Sequence, residues 1–330
     1  MNNLQQAKKI ALLMLEIREL TKLLNTYYDS VEELIYDDNS IHTQFQHVAT
    51  ATGRLSSKNP NIQNIGSDNK IVKEHFTSRF KAGAIISSDY KSLEVRVEAQ
   101  LSGDPQYIKD VENDVDFHTK HLALKERVEY ELAAEKVESG EWSDARRKVK
   151  AFTFGLQYGA GNKTVSKNSG LSEEEVQDLR EQRQLEYPRL HMYYDWLWET
   201  VNKKGFYTDP FGVEYRFKKY PPRFNWQKSD TYSPTEVQNY RTQGFATGVV
   251  NLIMLGIFWR KKALTSREKY VLINTVHDSA ILDCKNEFIN QAIEDLKLLE
   301  GIQDVAKDFN YNWTVPLPVD TQYGSSWAEC

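Results

Sequence analysis

Apolar residues recur at helical spacing near the start of the chain, at Ile10, Leu13, Met14, Ile17, Leu20 and Leu24, so residues 4–24 are predicted to form an amphipathic helix. The next segment, QFQHVATATGRLSSKNPNIQNI, is rich in Thr, Ser, Asn and Gly and lacks helical periodicity. AGAIISSDY (82–90) reads as a strand ending on polar residues. Behind it Leu93, Val97 and Leu101 stand at i, i+4 and i+8, and Gly103 stops the helix they predict. From about His118 to Lys204 the pattern is almost all helical, broken at GLQYGAGN and at Pro188. Residues 207–219 read as a hairpin around DPFG, and 245–262 as an apolar helix. Residues 271–284 form two short β-runs with His277 and Asp278 at their junction, which puts both polar side chains at a hairpin tip. There is no internal repeat. Strand, helix, helical insert and returning hairpin, in that order, predict an α+β fold with a helical subdomain inserted in a sheet domain.

Composition narrows the classes. The 330 residues allow one large or two to three small packed units, and 40% hydrophobic with 27% charged residues is ordinary for a globular chain. No run of about 18 uncharged apolar residues predicts a membrane span, so no membrane partner is expected. Lys8, Lys9, Glu16 and Arg18 interrupt the N-terminal helix, which is not a signal-peptide pattern. Cys284 and Cys330 are the only cysteines, so neither a disulfide framework nor a zinc cluster is expected, and a reducing, cytoplasmic setting fits. A net charge of −5 argues mildly against nucleic-acid binding. Two basic stretches with aromatics nearby, DARRKVK and EYRFKKYPPR, run against that average.

A lone Asp at a hairpin tip is usually a turn residue. Asp89, however, also ends an apolar run. Two carboxylates at the edges of adjacent strands can hold one or two Mg2+ ions, which favour a few carboxylates together with phosphate oxygens and water. Such a pair suits in-line phosphoryl or nucleotidyl transfer. The stretch RRKVKAFTFGLQYGAG adds Arg146, Lys150, Phe154 and Tyr158 at i, i+4, i+8 and i+12. Each step of four drifts about 40° round a helix, so the four share an arc of about 120°. Two cations followed by two aromatics can lie along a nucleoside triphosphate from phosphates to base. The simpler alternative is a core stripe whose cations snorkel; cations on the same stripe as the aromatics count against it.

These stretches resemble the motifs of family A DNA polymerases, the bacterial DNA polymerase I type with its phage members. TATGRLSSKNPNIQNI is similar to the family's primer–template segment and SSDYKSLEVRVEAQLSGD to its motif A, DYSxIELR. RRKVKAFTFGLQYG resembles motif B, RxxxKxxxFxxxYG, and VHDS resembles motif C, VHDE. The motifs come in the family's order and cover nearly the whole chain. The resemblance implies a right-hand polymerase palm, an antiparallel sheet with helices, carrying inserted helical fingers, with the thumb largely missing. Residues 1–28 would be a residual thumb-base helix and 29–117 the first part of the palm. Residues 118–204 would be the fingers, and 205–330 the end of the fingers and the second part of the palm.

The resemblance also implies roles. Asp89 and Asp278 would hold two Mg2+ ions, for which Mn2+ can substitute, with the Tyr90 backbone carbonyl as a further ligand. Arg146 and Lys150 would bind the dNTP triphosphate, and Lys150 would give a proton to pyrophosphate. His118, in DFHT, would touch the phosphates. Phe154 and Tyr158 would pack on the nucleotide and at the template base, and a Phe at 154 goes with discrimination against dideoxynucleotides. Glu94 would crowd the sugar 2′ position. Arg54, Asn61, Gln63, Asn64, Gln243 and His277 would contact primer–template DNA. Arg18 and Lys22, in IRELTK, would touch the duplex backbone.

The departures shape the expected function. Ser279 stands where motif C has Glu, which removes a carboxylate, and Thr153 replaces a common Asn. The segment between His118 and Arg146 looks expanded. A polymerase without a thumb grips DNA weakly, because backbone contacts dominate affinity. Either the sequence is a piece of a longer chain, or a separate polypeptide carries the thumb and 3′–5′ exonuclease; the second is expected, with that polypeptide as partner. The expected activity is template-directed DNA synthesis, and the alternative is a catalytically weak primer–template-binding subunit. HDS as a Ser-His-Asp triad is excluded, because three adjacent residues cannot converge with triad geometry. Glu94 argues against ribonucleotide use.

Overall fold

In a computed structural model that describes residues 2–47, 49–66, 69–157, 159–222 and 229–330, the chain is organised around one central strand. Two short strands, β1 (Gln44–Gln46) and β2 (Ser56–Lys58), pair antiparallel and precede β3 (Gly83–Tyr90). A small hairpin follows the helical region, formed by β4 (Phe206–Thr208) and β5 (Glu214–Arg216). The last three strands are β6 (Tyr270–Asn274), β7 (Ser279–Lys285) and β8 (Val319–Gly324). They join β3 in an antiparallel sheet ordered β6-β7-β3-β8. The fold is α+β, as the order of elements predicts.

The middle of β3 reads as a continuous apolar run because both faces of the sheet are covered there. Ile86 belongs to the main core with Phe245, Met254, Phe258 and Leu282, whereas Ile85 belongs to a second core with Ile62, Ile65, Ile281 and Trp327. Burying each isoleucine contributes about 2 kcal/mol. Towards its end β3 turns polar: Ser88 faces inward with its hydroxyl 2.9 Å from that of Thr321 on β8, and Asp89 faces outward.

One long helix, Pro234–Thr265, backs the sheet. By length and apolarity alone it could cross a membrane, contrary to the expectation from runs of uncharged residues. Phe245, Val250, Met254 and Phe258 nevertheless lie fully inside the core, and it is the central helix of the fold. It begins at Pro234, earlier than the predicted 245, because its polar first turns are satisfied by partners distant in sequence. The Gln238 amide donates to the Leu156 carbonyl at 3.0 Å, and Arg241 pairs with Glu98 at 2.6 Å. Gly248 lets the 50–54 loop lie against this helix, since a Cβ there would sit 2.3 Å from the Thr52 carbonyl oxygen.

The Leu93–Ser102 helix follows β3 and ends at Gly103, whose φ of +59° suits glycine. Asp104 then caps two helices at once. One carboxylate oxygen accepts from the Gln106 and Tyr107 amides at 3.0 Å, and the other accepts from Arg189 at 2.9 Å and Leu190 at 3.3 Å. That single buried side chain ties the Pro105–Glu112 helix to the Pro188–Lys204 helix. Between them stand the Phe117–Glu126, Tyr130–Glu138, Ser143–Gln157, Asn162–Ser169 and Glu173–Glu186 helices. Phe152, Leu156, Val165, Val176 and Leu179 form their shared core. The N-terminal helix, Asn2–Leu23, differs: Ile10, Leu13, Met14, Ile17 and Leu20 on it are between 47% and 61% exposed.

Glu98 and Arg241 form a fully buried ion pair joining the Leu93–Ser102 helix to the long helix. Tyr107 and Tyr194 donate to the same carboxylate at 2.9 and 2.6 Å, and the guanidinium lies over the Tyr193 and Tyr194 rings. Burial opposes the Glu98 charge, but Arg241, Arg183 and Tyr194 outweigh it and hold the carboxyl below its ordinary value. A depressed carboxyl stabilises the fold above its unfolded pKa, here near 4.5, and loses that contribution as pH falls through the folded value. Glu98→Gln should therefore lower stability by about 3–5 kcal/mol at pH 7, since it strands a buried guanidinium. Urea unfolding of both proteins should show the difference shrinking as the pH is taken below 4.5.

Candidate active site

The β6–β7 connection is a tight turn in which the Ser279 amide donates to the Val276 carbonyl at 3.0 Å, and His277 takes a φ of +57°. A non-glycine residue holds that conformation only when its surroundings fix it. Three side chains do so. The Ser279 hydroxyl donates to the Val276 carbonyl at 2.9 Å and accepts from the Val276 amide at 3.2 Å. Asn251 donates to the His277 carbonyl at 3.1 Å, and Gln63 to that of Thr275 at 2.9 Å. Ser279, where the family motif has Glu, is thus a buried turn lock.

The register sets Asp89 opposite Ser279 on one side and Asp320 on the other. Asp278, one residue before Ser279, therefore stands beside Asp89. Burial raises the Asp89 carboxyl first, the Asp278 charge adds to it, and together they push it to about 6 against the opposing pull of His277 and Lys73. Asp278 is raised too, mainly by burial. Burial lowers the His277 pKa, Arg54 lowers it further, and Asp89 opposes them. Among the described residues, neither carboxylate is in a salt bridge and no group of three His, Cys, Asp or Glu forms a protein-only metal cage. Two hard, mutually repelling oxygen donors with open sides fit a divalent cation that keeps waters or phosphate oxygens as its other ligands.

Two cavities meet at this pair. The first, about 830 Å3, is lined by Asp278, His277, Glu94, Arg54, Gln243, His118 and Phe154. The second, about 620 Å3, is lined by Asp89, Asp278, His277, Gln63, Asn64 and Lys22. A third, of about 230 Å3, takes in Asn61 with Arg54, Gln63 and Asn64. Asn61 accepts from the Ser57 hydroxyl at 2.9 Å, and the Asn64 carbonyl accepts from Tyr27 at 2.7 Å. Tyr90 is buried at the end of β3, its hydroxyl donating to the Leu299 carbonyl at 2.8 Å. Arg18 is exposed on the N-terminal helix and lines none of the three cavities.

Two arginines near the first cavity are held by carboxylates. Arg54 donates to Glu94 at 3.1 Å and to Thr247 at 3.3 Å. Arg146 grips Asp116 at 2.7 Å. Asp116 also caps the Phe117–Glu126 helix by accepting from the His118 amide at 3.1 Å. Burial works against the Asp116 charge, but Thr119 and Arg146 hold it below its ordinary pKa. His118 is lowered by burial, with Arg146 and Lys150 reinforcing and Asp116 opposing, and its buried Nδ1 has no hydrogen-bond partner. Its ring lies 5.3 Å from that of Phe154, which is 44% exposed. Lys150 is exposed one turn earlier on the same helix, 5.9 Å from the Phe154 centroid. Tyr158 lies outside the described residues.

Three residues join the site without a signal that local pattern carried. Lys73 lines the second cavity and lies 4.8 Å over the Trp327 ring, within electrostatic reach of Asp89. Lys91 lines the first cavity at the position where motif A has Ser, a departure that was visible in the motif itself. Asp320 comes from β8, which the apolar pattern did not predict.

A sheet-floored cleft with two strand-end carboxylates, overhung by an inserted helical region, is the palm-and-fingers architecture of a right-hand polymerase. The family described as DNA polymerase family A matches residues 1–329, and the chain belongs to it. DNA polymerase I of Lactococcus lactis subsp. lactis is 30% identical over 324 residues, covering 96% of this chain and 34% of that protein. The thermostable DNA polymerase I of Thermus aquaticus is 28% identical over 331 residues, covering 98% and 37%. The POL domain of Pol1 from M. smegmatis, solved in complex with DNA primer-template and dNTP, has the same fold at a TM-score of 0.77 and 22% identity. That likeness covers 94% of this chain and 52% of that one. The chain thus spans about a third of the length of these curated relatives.

Repulsion at the carboxylate pair gives a test that needs no activity. A carboxyl with a raised pKa costs the folded state most when ionised, so the cost is present above pH 6 and vanishes below about 4. Asp89→Asn should raise the thermal midpoint of the metal-free protein by a few degrees at pH 8 and leave it unchanged near pH 3.5, followed by circular dichroism.

Proposed function

We propose that the chain performs template-directed DNA synthesis, joining a nucleotide from a dNTP to a primer 3′-hydroxyl with release of pyrophosphate. One observation carries the reading: His277 and Asp278 line both the 830 Å3 and the 620 Å3 cavities, and Asp89 opens on the second. A nucleotide in the first and a primer end in the second would meet at the carboxylate pair, the approach that an in-line displacement needs. Asp89 and Asp278, with the Tyr90 carbonyl, would hold two divalent ions, Mg2+ or Mn2+. When bound, such ions favour the primer alkoxide and stabilise charge on the transferring phosphoryl group.

The protein's own groups bind and orient. Arg146 and Lys150 would take the triphosphate, exchanging carboxylate or water for phosphate oxygens, and Lys150 would protonate the leaving pyrophosphate. The unpartnered His118 Nδ1 offers a further phosphate contact. Phe154 would flank the sugar, Tyr158 the template base, and Glu94, held by Arg54, would exclude a 2′-hydroxyl. Asn61, Gln63, Asn64, Gln243 and His277 would face primer and template, with Lys22 and Arg18 towards the duplex backbone. In this reading 29–117 are the first part of the palm, 118–204 the fingers, 205–330 the end of the fingers and the second part of the palm, and 1–28 the base of a thumb. The exposed apolar residues of the first helix support contact with a separate polypeptide that carries the thumb and 3′–5′ exonuclease. Ser279 in place of Glu favours a second reading, a primer–template-binding subunit with weak catalysis.

Primer extension with each single dNTP opposite each template base, in Mg2+, separates the two. Synthesis that follows the template supports the first reading; tight primer–template binding without extension supports the second. If Phe154 lies at the sugar, the unmodified chain should incorporate dideoxynucleotides poorly, and Phe154→Tyr should improve their use relative to dNTPs by at least about tenfold, about 1.4 kcal/mol in the transition state. Equal use of both by the unmodified chain would contradict the placement.

A further inference from the structure

A groove of about 410 Å3 opens on the β6 side of the sheet, away from the carboxylate pair. It is lined by Arg79, Phe80, Trp259 and Arg267 together with Ala263, Val271 and Leu272. Val271 pairs with Asp283, four residues along β7 from Ser279, so the groove lies roughly 13 Å from the turn at 3.3 Å per residue. It belongs to neither cavity of the catalytic cleft. Trp259 is 43% exposed at its rim.

The charge around this groove is opposite to that of the chain. Between Trp259 and Ile273 stand Arg260, Lys261, Lys262, Arg267 and Lys269 against the single acid Glu268, in a protein of net charge −5. Lys262 is matched by Asp295 at 2.7 Å and Arg79 by Asp283 at 3.0 Å. Among the described residues Arg260 and Arg267 form no salt bridge, and both are exposed. β6 is the outer strand of the sheet, but Tyr270 at its start is fully buried and its amide donates to the Ser266 carbonyl at 2.9 Å, so the edge there is already covered.

We propose that this groove docks a short acidic peptide from a partner protein. The peptide sets an apolar side chain against Trp259 and the neighbouring apolar lining, and its carboxylates on Arg267 and Arg79. The apolar residues among its lining, Phe80, Trp259, Val271 and Leu272, favour a peptide over a nucleic-acid strand, whose phosphates need cations spaced along an open path. The interaction is independent of whether the chain polymerises.

The test is fluorescence anisotropy on the full chain with a labelled nonapeptide in which Asp alternates with Phe and Ile. Saturable binding is expected, weakened at least about tenfold by Arg267→Glu and by Trp259→Ala. The same peptide with Lys for Asp, or with Ala for Phe and Ile, should bind at least about tenfold more weakly. Both variants change exposed residues and should keep the parent's thermal midpoint and primer–template affinity. Three results would each overturn the proposal: no saturable binding, binding that survives both variants, or equal binding of the peptide lacking Phe and Ile. Arg267-dependent binding of a short oligo-dT that displaces the peptide would make the face a nucleic-acid surface instead.

Discussion

The antiparallel register between β3 and β7 is the constraint on which the site depends. It sets Asp89 opposite Ser279, so the residue before Ser279 in the turn must bring its carboxylate to Asp89. Two like charges do not gather there spontaneously, and burial compounds their repulsion. The sheet and the turn together impose the proximity. Ile85 and Ile86 anchor β3 in two separate cores, and Ser279, Asn251 and Gln63 lock a turn that carries His277 at positive φ. A one-residue slip would turn Asp89 into the core and Ser88 out to the cleft.

A second layer of organisation is electrostatic. Glu98 and Arg241 join the helix after β3 to the long core helix, and Asp104 ties two further helices together by capping both. Nearer the cleft, Arg54 is paired with Glu94 and Arg146 with Asp116. These cations are oriented by carboxylates and not left to solvent. The same arrangement accounts for an acidic chain presenting cations at a cleft.

Local pattern carried much of the fold. The apolar run ending at Asp89, the i, i+4, i+8 stripe closed by Gly103, the helical stretch broken near 159–161 and at Pro188, and the returning hairpin all correspond to observed elements. The α+β class followed from them, and the family from the motifs that resemble its own. β8 was not legible because its residues are mostly exposed and polar, and only pairing with β3 makes them a strand. The long helix began earlier than its apolar stretch because Gln238 and Arg241 find partners far away in sequence. At the site, sequence drew attention to Asp89 and Asp278 through their positions at strand ends. It held no trace of the ion pairs on Arg54 and Arg146, of Lys73 or of Asp320, which meet the site only through tertiary packing. Ser279 read as a missing carboxylate, and its role in closing the turn needed coordinates.

The central claim is that Asp89 and Asp278 together form the reactive centre between a nucleotide cavity and a primer cavity. Rapid-quench measurement of a single nucleotide addition to a bound primer–template, on the parent chain and on Asp89→Asn and Asp278→Asn, tests it most directly. Primer–template affinity would be read on the same samples. The account predicts that each substitution slows addition by at least about a thousandfold, as the loss of several kcal/mol of charge stabilisation requires, while DNA affinity changes little. Addition at near-parental rate by either variant, or a loss that simply follows weakened DNA binding, would contradict it.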